Sequence, residues 1–230
     1  MKVILLAAGF GTRLRPLTDT IPKCLVPIKG KPLLEIWLEK LNVAGVGPFL
    51  VNTHYLHEKV DAFIKSSQYV NAVTIVPEKN LLGTAGTLIA NLDFFEGQDG
   101  LLIHADNYCL ADFKAFTRAH NERPKECLMT MMTFRADNPS SCGIVELDDR
   151  GVVIDFHEKV KSPPGNHANG AVYILSAELL SMLGGNELKN VTDFSTEVLH
   201  RLLGRIYTYE TCEIFLDVGT PETYAKANNF

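Results

Sequence analysis

Val3-Ile4-Leu5-Leu6-Ala7-Ala8-Gly9-Phe10-Gly11-Thr12-Arg13-Leu14-Arg15-Pro16 stands near the start of the chain and decides its class. An apolar run without alternation predicts a strand buried on both faces over residues 3–7. The small residues after it let backbone come close to a ligand, and glycine allows left-handed turns. Turned backbone N–H groups form an anion cradle. Arg13 and Arg15 add guanidinium groups, whose donors match phosphate oxygens. Three readings of this Gly-x-Gly compete. The plainest is a tight turn after a strand. A dinucleotide site needs a third glycine and a helix directly after the turn; Leu14 holds that glycine position, and Pro16, Pro22, Pro27 and Pro32 block the helix. A P-loop needs G-x-x-x-x-G-K-[ST], which the chain lacks. What remains is a long phosphate-binding loop rich in arginine and proline, closed by Ile21-Pro22-Lys23 with Lys23 as a second cation.

Downstream, short apolar runs alternate with amphipathic stretches. Strands are predicted near residues 49–52, 73–76, 101–104 and 128–133, with helices at 33–43, 58–64, 84–92 and 113–120 between them. Such alternation implies right-handed crossovers and a Rossmann-like, doubly wound mixed, mostly parallel sheet with helices on both faces. After about residue 135 the rhythm changes. Strands at 144–147 and 152–156 flank the turn Asp148-Asp149-Arg150-Gly151. A strand at 171–175 follows, then helices at 177–183 and 194–203 and strands at 206–209 and 214–216. A last helix starts after Thr220-Pro221-Glu222, a cap, an N1 proline and an early acid. Ser162-Pro163-Pro164-Gly165-Asn166 reads as a surface loop. One domain over residues 1–230 is expected, with 136–230 adding to the same sheet as 1–135.

Composition narrows the function classes. A net charge of −5 and no basic run argue against a nucleic-acid partner. No apolar run reaches about 18 residues, so no membrane span is expected. The apolar N-terminal run is too short for a signal peptide and ends in Gly-x-Gly. Five cysteines without a C-x-x-C point to a reducing cytoplasm. His54-x-x-His57 lacks a third zinc ligand nearby, and Met129-x-Met131-Met132 reads as core.

Residues 6–18, with Pro22-Lys23-Cys24-Leu25-Val26-Pro27-Ile28 and Lys31-Pro32-Leu33-Leu34, resemble the signature of the sugar-1-phosphate nucleotidyltransferases. The resemblance implies that Arg13 and Lys23 contact a triphosphate. Leu6, Ala8 and Gly9 would line the base and ribose pocket, with Gly11 and Thr12 completing the loop. Asp106 and Asp217 each stand at a predicted strand end, where an aspartate alone reads as a turn or helix cap. Beside the loop they resemble the family's two Mg2+ ligands, in its G-D-N and D-x-G-T-P motifs. Ala105 departs from the usual glycine there, which is tolerable if its φ is negative. His104 reads as a core residue or a sugar contact.

Leu82-Gly83-Thr84-Ala85-Gly86-Thr87 resembles the second nucleotide loop. Read without the family, it is a helix start capped by Thr84. Glu78, just upstream, would read base-edge or ribose donors. Asn107, Gly143, Glu158, Lys159 and Asn169 match the sugar-phosphate segments, with Lys159 pairing with the sugar phosphate and Glu158 accepting from hydroxyls. In Asn169-Gly170-Ala171, glycine and alanine exchange places relative to the family's N-A-G. The resemblance implies a nucleotide-binding part over residues 1–135 and a sugar-phosphate-binding part over 136–230, with an NTP and a sugar 1-phosphate as partners, Mg2+ as the cofactor, and a monomer or homodimer as the assembly. The region 158–173 resembles that of enzymes acting on a manno-configured hexose or heptose 1-phosphate with GTP. The chain is expected to lack the C-terminal β-helix or acyltransferase domain of larger relatives. Two other classes stay open: a catalytically silent nucleotide-sensing regulatory subunit, and a phosphocholine-type cytidylyltransferase, for which a quaternary amine would want an aromatic cage.

Overall fold

The computed structural model describes residues 1–186, 188 and 190–230. β1 (Lys2–Leu6) is buried at Val3, Ile4 and Leu5. The proline-rich stretch after it forms only 3₁₀ turns, at Thr12–Leu14, Leu17–Asp19 and Lys23–Leu25. A two-residue ribbon, β2 (Pro27–Ile28) with β3 (Lys31–Pro32), leads into α1 (Leu33–Val43). Leu33, Leu34, Trp37, Leu38 and Leu41 recur at helical spacing and form the buried face of α1. β4 (Phe49–Thr53) is buried throughout; α2 (His57–Ser66), β5 (Val73–Pro77) and α3 (Thr84–Ala90) follow.

β6 (Gly100–His104) is followed at once by β7 (Asn107–Cys109), a strand too short for its periodicity to show in the sequence. Asp112 caps α4 (Phe113–Asn121), its carboxylate accepting from the Lys114 and Ala115 amides. β8 (Met129–Arg135), β9 (Gly143–Leu147), β10 (Val153–Glu158) and β11 (His167–Leu175) come next, then α5 (Ala177–Leu183). The regular helix expected over 194–203 is instead a π-helical turn, Phe194–Val198, running into a 3₁₀ turn, Leu199–Leu202. β12 (Ile206–Glu210), β13 (Phe215–Asp217) and α6 (Pro221–Asn229) end the chain.

The residues group into two compact units, neither continuous in sequence. The first holds Met1–Leu81, Ile103–Ala111 and Glu213–Phe230; the second holds Leu82–Leu102 and Asp112–Cys212. In the first, β1 pairs with β4 and β4 with β5, both parallel. The end of β6 flanks β1, with the Ala105 amide donating to the Leu6 carbonyl at 3.0 Å. β13 lies antiparallel to β7. Residues following β1, β4, β5 and β6 therefore share the carboxyl edge of parallel strands, where open α/β sheets bind ligands.

The second unit is mostly antiparallel. β9 pairs with β10 around the expected turn, where Asp148 Oδ1 accepts from the Arg150 and Val152 amides and Gly151 takes φ 76°. β11 pairs antiparallel with β9 and β8, and β12 pairs parallel with β8. Met129, Met131 and Met132 pack its core with Val172, Tyr173, Ile174 and Leu175, all fully buried. The architecture is a mixed α/β sheet fold. Among the described residues no helix is long and apolar enough to cross a membrane.

Candidate active site

The glycine-rich loop leaves β1 at Ala7, whose amide donates to Asn52 Oδ1 at 2.7 Å. Leu6 is half-buried, Ala8 buried, and Gly9, Thr12 and Arg13 exposed. The two glycines differ in what they require. Gly11 is left-handed at φ 65°, and a Cβ there would lie 3.0 Å from Thr18 Cγ2 and 3.1 Å from Lys23 Cβ. Its carbonyl accepts from the buried Thr18 hydroxyl at 2.8 Å. Gly9 has no positive φ, and no protein atom lies within 4 Å of where its Cβ would be. Only Gly11 thus supplies the left-handed turn expected of the pair. Space beside Gly9 is open for close approach to the backbone.

Four charged side chains converge in this unit. Lys23, 9% exposed, sets its Nζ 2.7 Å from Asp106 Oδ2 and 3.4 Å from Asp217 Oδ1. Arg13 Nη2 lies 3.5 Å from Asp217 Oδ2. Backbone pairing makes the aspartates neighbours: Asp217 opposes Asn107 in β13–β7, and the Val218 amide donates to the Asp106 carbonyl at 3.2 Å. Asn107 is buried, its carbonyl accepting from Trp37 Nε1 at 2.8 Å. Ala105 has no positive φ, so an alanine there does not strain the turn. Burial pushes the Asp106 carboxyl up, but the charges of Lys23 and His104 and the hydrogen bond from Lys23 outweigh it and hold the group below its usual range.

Gly219, which the sequence marks only as the glycine of D-x-G-T-P, is part of this geometry. A Cβ there would sit 2.7 Å from Arg13 Nη2 and 2.9 Å from Asp217 Oδ2. The Asp217-Val218-Gly219-Thr220-Pro221 motif thus supplies a carboxylate, room for an arginine, and a helix start. Thr220 caps α6 in a capping box with Thr223, as the sequence predicts for its cap and N1 proline. The cluster also fits a divalent cation. Asp106 and Asp217 turn carboxylate oxygens toward one point, now held by the Lys23 ammonium, and hard oxygen donors of this kind suit Mg2+.

Glu78 is buried after β5, its Oε1 accepting from Asn52 Nδ2 at 2.9 Å. Asn52 is a second residue for which no role was foreseen. Its signal was a lone amide ending the apolar run Phe49-Leu50-Val51. His54 Nδ1 lies 2.8 Å from the Glu78 carbonyl, and the His54 ring packs edge-on to Phe10.

The remaining predicted residues lie in the second unit. Gly83 takes φ 81°, and a Cβ there would overlap the Thr192 carbonyl. Thr84 is not the helix cap expected of it. Gly83 holds the cap position of α3, and the Thr84 hydroxyl accepts from the Phe194 amide at 2.7 Å. The Ala85 amide donates to the Thr192 carbonyl at 2.9 Å, so the start of α3 is satisfied by its own chain.

Gly143 faces Glu158 across β9–β10, where a Cβ would meet Glu158 Oε2 at 2.6 Å. Lys159, left-handed at φ 48°, pairs its Nζ with Glu158 Oε1 at 3.1 Å. Asn169 accepts from the Ala171 amide at 2.8 Å and donates to the Tyr173 hydroxyl at 2.7 Å, across a shift in register between β11 and β8. Among the described residues one group of three side chains could hold a metal: Glu146, Asp155 and His157, on β9 and β10. It shares no residue with the Asp106–Asp217 pair, and its closest contact is a 2.7 Å hydrogen bond between His157 and Glu146.

The sequence profile of the family described as "Nucleotidyl transferase" matches residues 2–230. The chain is 30% identical to mannose-1-phosphate guanyltransferase 2 of Candida glabrata over 97% of its own length and 63% of that protein's. It is 28% identical to the D-glycero-alpha-D-manno-heptose 1-phosphate guanylyltransferase of Campylobacter jejuni, covering 97% of each. The crystal structure of HddC from Yersinia pseudotuberculosis complexed with GMP-PN superposes with a TM-score of 0.82 at 27% identity, covering 99% of this chain and 98% of that one. The chain thus spans less than two thirds of the mannose-type relative and nearly all of the heptose-type one. The glycine-rich loop with its cluster of two cations and two aspartates, the match across the whole chain and the shared architecture give one conclusion: the chain belongs to the nucleotidyl transferase family.

Proposed function

We propose that this chain transfers a nucleoside monophosphate from an NTP to a sugar 1-phosphate, giving an NDP-sugar and pyrophosphate. The observation that carries the reading is the convergence of Arg13 and Lys23 on Asp106 and Asp217, beside the open backbone of Gly9. The relatives named above support guanosine as the nucleoside and a manno-configured hexose or heptose as the sugar.

An oxygen of the sugar phosphate attacks the α-phosphorus in line. A new P–O bond forms, the bond to the β-phosphate oxygen breaks, and pyrophosphate departs with the electron pair. No general base is required, because a phosphate monoester is already largely ionised near pH 7. Arg13 and Lys23 stabilise charge that grows on the leaving side, the main protein contribution to such transfers. Lys159 holds the sugar phosphate, and Glu158 and Asn169 receive sugar hydroxyls. Asp106 and Asp217 would hold Mg2+, which when bound neutralises charge on the phosphates.

The test is pyrophosphate release from GTP with mannose 1-phosphate and with a manno-heptose 1-phosphate. Asp106→Asn and Arg13→Ala should each lower the rate by roughly 10²–10³, the scale for one preorganised charge stabiliser. Near-normal turnover in both variants would sink the reading.

A further inference from the structure

Asn52 lies on β4, the strand between β1 and β5, opposite Leu6 on one side and Val76 on the other. It is 3% exposed. Its amide reaches both neighbouring segments. Oδ1 accepts from the Ala7 amide at 2.7 Å, and Nδ2 donates to Glu78 Oε1 at 2.9 Å. The direction of this amide is forced, because a backbone N–H only donates and a carboxylate only accepts. Glu78 is itself tied down: its amide donates to the Thr53 carbonyl at 2.7 Å, and its carbonyl meets His54 Nδ1 at 2.8 Å. The His54 ring packs on Phe10, with centroids 5.4 Å apart. One network therefore grips the glycine-rich loop twice, at the Ala7 amide and at the Phe10 ring.

We infer that Asn52 is a positioning residue for the nucleotide loop, and that Glu78 Oε1 sets the direction of the Asn52 amide. The inference rests on the loop being the nucleotide half of the proposed site. The Ala7 N–H is spent on Asn52 and so anchors the start of the loop, and a preorganised cradle needs its remaining donors held in place before the ligand arrives.

The chemistry allows a polarity swap. Asn52→Asp sets a carboxylate against that of Glu78 and should loosen the network. Adding Glu78→Gln restores both bonds, the one between the two side chains with its direction reversed, because the new carboxylate accepts from the Ala7 amide and from the new side-chain amide. Two measurements follow: hydrogen–deuterium exchange over residues 6–14, and KM for GTP and for mannose 1-phosphate. In Asn52→Asp, loop exchange and the GTP KM should each rise about tenfold or more, the scale of a lost buried hydrogen bond. The KM for mannose 1-phosphate should move less than about twofold. The double variant should return toward wild type in loop exchange, the readout that does not depend on Glu78 meeting the nucleotide.

Unchanged loop exchange in Asn52→Asp, or loop exchange that stays raised in the double variant, overturns the inference. So does an unchanged GTP KM in an active protein. If Asn52→Asp fails to fold, a folded double variant supports the coupling, and an unfolded one overturns it. A wild type without turnover would refute the proposed reaction, and the exchange data would still decide whether Asn52 holds the loop.

Discussion

A methyl group at position 219 would fall 2.7 Å from Arg13 Nη2 and 2.9 Å from Asp217 Oδ2. Gly219→Ala should therefore part this pair and lower the rate of pyrophosphate release by about tenfold or more, as one charge contact is misplaced. Thermal stability should hold, since an ion pair this exposed contributes about 0–1 kcal/mol. Wild-type turnover in the variant would show that the pair is dispensable. Ala171 gives the opposite kind of case. It holds φ 52° in a position where a glycine would be unstrained. A left-handed alanine costs about 1–2 kcal/mol, against about 0.5–1 for the added freedom of an unfolded glycine. Ala171→Gly should thus stabilise by up to about 1 kcal/mol in chemical denaturation, with the Asn169–Ala171 turn kept; a lower midpoint would refute this. The sequence could mark Arg13, Lys23, Asp106 and Asp217 as chemically able residues. It could not show Lys23 lying between two aspartates, one of them 194 residues away, nor the tie from Asn52 to an amide 45 residues earlier. Such contacts depend on strand register, which spacing along one chain does not encode.

Elements were most legible where periodicity runs long. The apolar positions of α1 recur at helical spacing, and the helix spans Leu33–Val43 as predicted. β7 and the ribbon of β2 with β3 escaped, because two or three residues carry no measurable period. The π-helical turn at Phe194–Val198 escaped because its apolar spacing is also that of an ordinary helix. The start of α6 was legible from its cap chemistry alone. Thr220 accepts from the Thr223 amide, and Thr223 Oγ1 accepts from the Thr220 amide at 3.1 Å. The helix then anchors the ribbon, with the Tyr224 hydroxyl on the Pro27 carbonyl at 3.0 Å and Asn228 Oδ1 accepting from the Lys29 amide at 2.8 Å. Thr220→Ala should cost about 1 kcal/mol, the usual loss for an N-cap. Because the cap lies three residues after Asp217 in the chain, Mg2+ titration of activity should shift to higher concentration as well. A stability loss with an unmoved Mg2+ midpoint would confine Thr220 to the helix.

Global stability should respond to acid through two histidines that the fold keeps neutral. His120 is fully buried, with Nδ1 2.8 Å from Thr130 Oγ1 and Nε2 3.4 Å from Asp99. Burial lowers its pKa, helped by Arg123 and opposed by Asp99. Burial likewise lowers that of His167, with Arg135 adding to the shift and Glu210 resisting it. Both groups bind protons more readily in the unfolded chain, whose histidines titrate near 6.5. Their contribution is complete above about pH 6.5 and is lost as pH falls through that value toward their lower folded pKa values. Each can contribute at most about 1.4 kcal/mol per pH unit in that window. Asp99 and Glu210 are held below the usual carboxylate range, Asp99 first by its bond from His120 and Glu210 first by its bond from Arg135. Their contribution therefore begins to fade only in stronger acid, near pH 4 and below. Urea unfolding at pH 7.5, 6.5 and 5.5 should show stability falling across the last interval. His120→Gln should flatten part of that slope even if it lowers stability at every pH, because an amide removes the titration while a buried defect shifts all points alike. A slope unchanged in this variant would mean that His120 takes up its proton as readily in the folded chain as in the unfolded one.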